Sequence, residues 1–462
     1  MIGIKDKTTK ELLQHAIQSL DPNKNNSRLV SITKEITDTN PLQFFEAAKD
    51  TGKNRVFWAS TEDEFFLVGA GSAVEITAED NRFELMEKQW DRMLKEAVIH
   101  NPYKVPGTGV LALGGMAFDP VKKRTGLWES FRPGHFTIPE YILTKQQGKC
   151  YLTINVYVQE GDHPVQLSRQ VQEMGGTLLA GSKRPTQDFY VTAREEIGPE
   201  EWKEAVRRAT EEIQQGKAEK IVLARELRLK FDRKADIGKI MKRLMDTQSN
   251  SYIFSFEKGD DCFVGATPER LVRLEENRLL STCLAGTAPR GRTSEEDERF
   301  GRELLNDEKN RQEHDFVVSM IRNALAYRCT DISIPEEPVL YPLKNLQHLY
   351  TPVVARLKEG YSIFDIIEQL HPTPALGGTP RKKSLDFIRK HEYLDRGWYG
   401  APIGWLDSNN NGEFAVAIRS SLIRGKEASL FAGCGVVADS DPKEEYQETN
   451  IKFLPMLTVL GE

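Results

Sequence analysis

Residues 251–286 read SYIFSFEKGDDCFVGATPERLVRLEENRLLSTCLAG, and this stretch decides the fold class. It contains four short runs, SYIFSF, CFVGAT, RLVRLE and RLLSTCLAG, each with the apolar content of a strand and each separated from the next by charged or turn-forming residues. Strands in such close succession predict hairpins. The segment just upstream agrees: in KIVLARELRLKF (220–231), Leu227, Leu229 and Phe231 alternate with Arg228 and Lys230. Helices flank these strands. Pro199 suits a first helical turn, Trp202, Val206, Ala209 and Ile213 recur at helical spacing, and Gly216 is a stop. Asp236 caps a second helix carrying Ile237, Ile240, Met241 and Leu244. Downstream, Asn411-Gly412 is a hairpin-turn signal.

The N-terminal half continues the mixture. Residues 57–76 read as a hairpin, 81–100 as a helix, and 108–120 and 150–159 as strands. Residues 21–28, DPNKNNSR, read as a loop, and Met174–Gln187 as a linker or exposed loop. The expected class is therefore α+β, with large antiparallel sheets flanked by helices rather than a doubly wound fold. Residues 1–190 are expected to form an N-terminal α+β region and 198–458 the region carrying the chemistry, the two making one globule.

A chain of 462 residues with 39% hydrophobic and 29% charged residues can bury a large core. Its net charge of −6 argues against a general nucleic-acid binder. The first 20 residues have no apolar h-region, so no secretory signal is expected, and no stretch has the length of a membrane span. Five irregularly spaced cysteines without a CxxC point to neither zinc nor a disulfide framework, which fits a reducing cytoplasm. No GxGxxG follows a strand, and no P-loop or GxSxG occurs, so nucleotide-binding and serine-hydrolase classes have no support.

Candidate chemistry gathers near the C-terminus. In DPKEEYQETNIKF (441–453), Asp441 and Pro442 start a helix, with Glu444 placed for a capping box, and Glu445, Glu448 and Lys452 share one face. A solvated, self-paired helix presents the same pattern. In NDEKNRQEHDFVVSMIRNAL (306–325), Val317, Met320, Ile321 and Ala324 form a buried stripe that Glu313 continues one turn earlier. A carboxylate there needs a partner. A hard cation would satisfy Glu313 and Glu448 together, and Mg2+ accepts one or two protein carboxylates plus water and substrate oxygens; a salt bridge to an arginine would serve as well. Gly433 and Gly435 lead a strand into the terminal helix, so backbone N–H groups there, with Arg419 and Lys452, suit an anion. Arg419 alone is equally an ordinary strand arginine.

Nine motifs then occur in order: EKIVLARE (219–226), GATPERLV (265–272), LAGTAPRG (284–291), KNRQEHDFVV (309–318), LHPTPALGGTPR (370–381), WYGAPIGW (398–405), AIRSSLI (417–423), AGCGVVADSDPKEEYQET (432–449) and Lys452. Together they closely resemble the chorismate-utilising enzymes, and within them the isochorismate synthases. The resemblance is dense over 198–458 and thinner upstream, where GGMAFDP (114–120) is similar to a family strand. It implies the family fold, chorismate as substrate and Mg2+ as cofactor. By the same resemblance Lys220 matches the general base that activates water, and Glu269 the general acid that protonates the departing C4 hydroxyl. Glu313 and Glu448 match the metal ligands, with Glu445 in the outer shell. Gly286, Arg419, Gly435 and Lys452 match positions that hold substrate carboxylates, and Ala375, Leu376 and Tyr399 those that shape the ring pocket. Taken alone, Lys220 is also readable as a strand-edge lysine and Glu269 as a turn carboxylate after Pro268.

Within the family, Lys220 stands where ammonia-using relatives carry Gln, and Ala285 where aminodeoxychorismate synthases tend to place a lysine. Both imply water as nucleophile and no glutamine amidotransferase subunit. The expected product is isochorismate, with salicylate synthase, which goes on to eliminate pyruvate, as the alternative. The long N-terminal half resembles the menaquinone-pathway type rather than the shorter siderophore-pathway type. Asn310 departs from the acid many relatives have there, and His371 lies in the 371–380 loop as either a pocket or a structural residue.

Overall fold

In the computed structural model, residues 8–20, 27–182, 186–342 and 346–461 are described. Residues 251–286 form four strands, as their patterning predicts: Tyr252–Lys258, Asp261–Thr267, Arg270–Glu275 and Arg278–Pro289. The first two pair antiparallel in a 13-stranded sheet, and the last two pair antiparallel in a 10-stranded sheet. The chain thus changes sheets at Thr267–Arg270, and Glu269 sits on the crossing. A second crossing lies alongside, where Gly412–Val416 of the smaller sheet passes to Ser420–Arg424 of the larger. Arg419 occupies that one, in the left-handed region with φ 49°. The crossings are stitched together: Val416 N–H donates to Glu269 O (2.9 Å) and Ala266 N–H to Arg419 O (3.2 Å).

Strand alternation sorts side chains between two interiors. Phe254, Phe256 and Phe263 point into an aromatic layer between the sheets, with Trp58, Trp128, Trp398, Trp405 and Phe431. Ile253, Val264 and Ala266 point the other way, beneath the helices Pro41–Asp50, Ile237–Thr247 and Pro442–Leu460. The smaller sheet's outer face is covered by Arg82–Glu96, Glu308–Ala326 and Ile363–Leu370. The fold is α+β, with helices outside two facing sheets. Among the described residues every strand pair is antiparallel except that of Ser27–Ile36 with Val98–His100. Both sheets draw strands from residues 1–190 and from 198–458.

Several local expectations are corrected. Arg55–Ser60 and Phe65–Ala70 form the expected hairpin, but Val74–Ala78 leaves it for the smaller sheet. The 81–100 helix stops at Glu96, and Val98–His100 is a strand. Met174–Leu179 is not loop but the end of the helix Pro164–Leu179, because Val171, Gly175 and Leu178 bury a stripe that outweighs the helix-weakening Gly175-Gly176 pair. The Pro402–Asp407/Gly412–Val416 hairpin is present, yet Asn410 rather than Asn411 or Gly412 takes the left-handed turn conformation, φ 61°. Buried Asp407 organises that turn by accepting from the N–H groups of Asn409 and Asn411. Of the expected 21–28 loop, residues 21–26 lie outside the described residues, as do 183–185 of the expected linker.

The strand Lys220–Phe231 pairs along one edge with Glu427–Val436. Its other edge pairs with Gly378–Thr379 at Lys220–Ile221 and with Val191–Glu196 from Leu227 onward, leaving a gap between. A buried ion pair fills this gap. Glu392 accepts from Ala224 N–H (2.8 Å) and Arg396 donates to Val222 O (2.8 Å), while the two side chains bind each other at 2.7 and 2.6 Å. Arg396 also holds Leu376 O (3.0 Å). Truncating one partner strands the other charge together with a backbone group. Arg396→Leu should therefore lower the unfolding free energy by about 3–5 kcal/mol in urea titration, and Arg396→Leu with Glu392→Leu by less than the two singles summed; a single-variant cost under about 1 kcal/mol would show that the pair does not close the gap.

Candidate active site

Lys220 is the first residue of its strand, and its Nζ donates to Glu313 Oε1 at 2.5 Å. It reaches there across Gly435: a Cβ at that glycine would lie 2.4 Å from Lys220 Cε and 3.1 Å from Nζ. The glycine is required by the lysine's path, not by backbone conformation. Glu269 stands at the sheet crossing within electrostatic reach of the same lysine, and Arg419, Lys220 and Lys452 are the cations that act on it. Burial pushes its carboxyl up to about 7, against the downward pull of those three. The site thus holds a carboxylic acid that keeps its proton near neutrality beside cations that favour anions.

From the terminal helix, Lys452 donates to Gly433 O (2.9 Å) and pairs with Glu448 (2.6 Å). The cap is Asp441's own carboxylate, which accepts from the N–H groups of Lys443 and Glu444. Glu313 and Glu448 are both exposed, with side chains 43% and 51% accessible. For Glu313 this corrects the expectation that it continues a buried stripe: His314, Val317, Val318 and Ile321 form the buried stripe of Glu308–Ala326, and Glu313 stands one residue off it. Glu445 is more enclosed. Its Oε1 accepts from Ser440 (2.7 Å), while Oε2 is buried.

Gly286, φ 81°, makes a bulge in the pairing of Arg278–Pro289 with Leu346–Leu357. Asn310 uses both ends of its amide: Nδ2 donates to Asp307 Oδ1 (2.8 Å), which a carboxylate could not do, and Oδ1 accepts from Thr287 N–H (3.3 Å), just past the bulge. Tyr399 stacks on Phe431 with centroids 5.4 Å apart, and its hydroxyl borders Gly433. Ala375 and Leu376 lie in the turn that Arg396 holds, and Leu376 touches the space above Gly400. His371 is structural: it is buried, and Nε2 donates to Phe118 O at 2.9 Å.

The sequence reading passed over His348. It lies opposite Thr287 in the bulged ladder, with Nδ1 bonded to Thr287 Oγ1 (2.9 Å) and Nε2 buried and unpartnered among the described residues. Burial, with Arg419 and Lys452 adding to it, depresses its pKa to about 4, so the ring is neutral. A histidine on the strand facing LAGT was the available signal.

No cluster of three or more His, Cys, Asp or Glu arranged for a metal occurs among the described residues. Two carboxylates suffice for Mg2+, however, which completes its shell with water and substrate oxygens. Glu313 and Glu448 are hard oxygen donors accessible from solvent, each balanced by one lysine, and the Glu445 carboxylate, held by Ser440 and the weak thiol donor Cys434, keeps Oε2 buried. This donor set fits a hard divalent cation.

The description "chorismate binding enzyme" matches residues 12–461. The chain is 43% identical over 469 residues to the isochorismate synthase MenF of Bacillus subtilis, covering 100% of this chain and 99% of that protein. It is 35% identical over 438 residues to the salicylate biosynthesis isochorismate synthase of Pseudomonas aeruginosa, covering 94% and 90%. Among solved structures it is similar to MenF, the menaquinone-specific isochorismate synthase from Escherichia coli, with a TM-score of 0.80 at 25% identity over 98% of this chain and 99% of that one. With the family match running almost end to end through both sheets and every cleft residue named above, the chain belongs to the chorismate-binding enzymes.

Proposed function

We propose that this protein is an isochorismate synthase, an isomerase that adds water at C2 of chorismate and expels the C4 hydroxyl, reversibly. The observation that carries this reading is that Glu269, at the sheet crossing beside that of Arg419, is pushed up to about 7 by burial while Lys220, Arg419 and Lys452 all lie within electrostatic reach of it. Arg419, Lys452 and the backbone N–H groups at Gly286 and Gly435 would hold the substrate's carboxylates, and Ala375, Leu376 and Tyr399 would border its ring. Lys220 serves as base in its neutral amine form: with its ion pair to Glu313 broken and its own proton given up, it takes the proton of the attacking water. Glu269 gives its proton to the leaving hydroxyl, and the cations within electrostatic reach then stabilise the carboxylate left behind. Glu313 and Glu448 would hold Mg2+, with Glu445 behind them, and the ion would neutralise and position a substrate carboxylate.

Salicylate synthase is the less favoured alternative, since the long relatives carry the isochorismate synthase name. Supply of menaquinone synthesis follows the name of the Escherichia coli structure. A cytoplasmic, amidotransferase-independent enzyme accords with this reading; among the described residues no helix is long and apolar enough to cross a membrane.

Product analysis tests the reaction. Purified protein given chorismate and Mg2+, without ammonium or glutamine, should form isochorismate, lose that activity in EDTA and regain it with added Mg2+. Lys220→Ala should lower kcat by about 10²–10⁴-fold. Salicylate and pyruvate as the main products would replace the reading with its alternative.

The pH profile tests the acid. Glu269 works protonated, so kcat/KM should fall as pH rises through about 7. Bound substrate carboxylates offset Arg419 and Lys452, whose pull lowers the Glu269 pKa, so the corresponding limb of kcat should lie at higher pH. A kcat limb at lower pH than that of kcat/KM would contradict the assignment.

A further inference from the structure

Beside Glu269, with none of Lys220, Arg419 and Lys452 in its walls, lies a cavity of about 20 Å3, room for one water. Its walls include Ser281, Thr282, Ala285, Val317 and Thr373. Two of the hydroxyls are occupied: Ser281 Oγ donates to Leu271 O (2.7 Å) and Thr282 Oγ1 to Arg270 O (3.2 Å). Thr373 is 8% exposed, and its Oγ1 has no hydrogen-bond partner among the described residues. Nor does the Glu269 carboxyl, which is influenced by burial and by distant charge alone. Two polar groups with unmet hydrogen bonds therefore share one water-sized space.

Thr373 cannot easily turn away. Its carbonyl accepts from the N–H groups of Leu376 (3.0 Å) and Gly377 (2.8 Å), which fixes the turn that walls the substrate cleft. We infer that Thr373 is a positioning residue for Glu269: one water in this cavity bridges Thr373 Oγ1 to the Glu269 carboxyl and sets the direction in which the acid presents its proton. The inference rests on Glu269 being the general acid of the proposed reaction. While the acid is protonated the bridge fixes its rotamer; once the proton has gone to the leaving hydroxyl, the water donates to the carboxylate from the cavity. The charged groups acting on Glu269 are Lys220 at the start of its strand, Arg419 at the sheet crossing and Lys452 on the terminal helix, and none of these lines the cavity. Cys283, on the strand Arg278–Pro289, feels the Glu269 charge but has its own thiol pushed strongly up by burial and stays neutral. Arg270 also lines the cavity, but its guanidinium is engaged by Glu413 (2.9 Å) and its carbonyl by Thr282, which leaves a water as the donor to the carboxylate on that side.

The test uses the full-length enzyme with Mg2+ and chorismate, comparing Thr373→Val, which keeps the shape and removes the hydroxyl, with Thr373→Ser, which keeps the hydroxyl. Losing one hydrogen bond of about 1 kcal/mol should lower kcat about five-fold in Thr373→Val, with KM within about two-fold. The alkaline limb of kcat/KM should move up by about half a pH unit to one unit, because the anion loses its donor. Thr373→Ser should restore both. A Thr373→Val enzyme with the wild-type rate and pH profile would overturn the inference, as would a loss of rate that Ser fails to rescue and that leaves the pH limb in place. Should Thr373→Val not fold, a high-resolution crystal structure of the wild-type enzyme decides: a water bridging the two groups upholds the inference, and an empty or absent cavity ends it. Glu269→Gln separates the layers. If it retains activity, the acid assignment falls and this inference with it; if it is inactive while Thr373→Val behaves as wild type, only the positioning role is lost.

Discussion

The site depends on a buried ion pair that replaces a strand. Between Gly378–Thr379 and Val191–Glu196 no strand among the described residues covers the edge of Lys220–Phe231, and Glu392 and Arg396 supply the missing acceptor and donor to Ala224 and Val222. Both are almost wholly buried, 1% and 3% accessible, so each needs the other as well as the backbone groups. A packed apolar pair would fill the volume but leave a sheet edge unsatisfied. The same guanidinium holds Leu376 O, and Arg396 O accepts from Tyr399 N–H. One residue therefore fixes, by its side chain, the strand that begins with Lys220 and the turn bearing Ala375 and Leu376, and, by its backbone carbonyl, the approach to Tyr399.

The second constraint is topological. Two chains of strands cross between the sheets side by side, and their crossings carry Glu269 and Arg419. Residues at a crossing leave the ladder, so their side chains are free of the strict inward and outward alternation that governs strand residues. This is where a carboxylic acid can be desolvated enough to hold its proton while cations remain within electrostatic reach. Glycine at 435 completes the arrangement, since any side chain there would occupy the route of Lys220.

Much of this was legible from residues alone. Short apolar runs in 251–286 and alternation in 220–231 pointed to the strands, and the helical stripe of Trp202, Val206, Ala209 and Ile213 is buried as read. Periodicity could not say that the four strands of 251–286 divide between two sheets, because each hairpin satisfies its own local pattern whichever sheet it joins. Nor could it reveal Glu392 and Arg396, an i,i+4 pair of the kind a solvated helix displays, whose burial comes only from tertiary context. Gly175-Gly176 read as a break because propensity is local, whereas the stripe that keeps the helix intact is not. In the cleft, the ordered motifs brought forward the residues that the structure gathers. His348 and Thr373 escaped notice since a single hydroxyl or imidazole in a strand or turn carries no spacing signal.

The terminal helix shows why a self-paired face and a ligand site are not exclusive readings. Glu448 and Lys452 do make the i,i+4 pair that a bland helix would make, and both are about half exposed. Yet Lys452 also reaches Gly433 O at the strand end, and Glu445, one turn before Glu448, buries an oxygen beside the weak thiol donor of Cys434. A purely solvated face would turn all of its acids to water. Charges poised to bind a charged substrate must stay neutralised and hydrated without it, or the free protein would bear the cost of desolvation that binding is meant to offset. Exposure of Glu313 and Glu448, each beside its own lysine, is therefore what a site of this kind requires of its resting state.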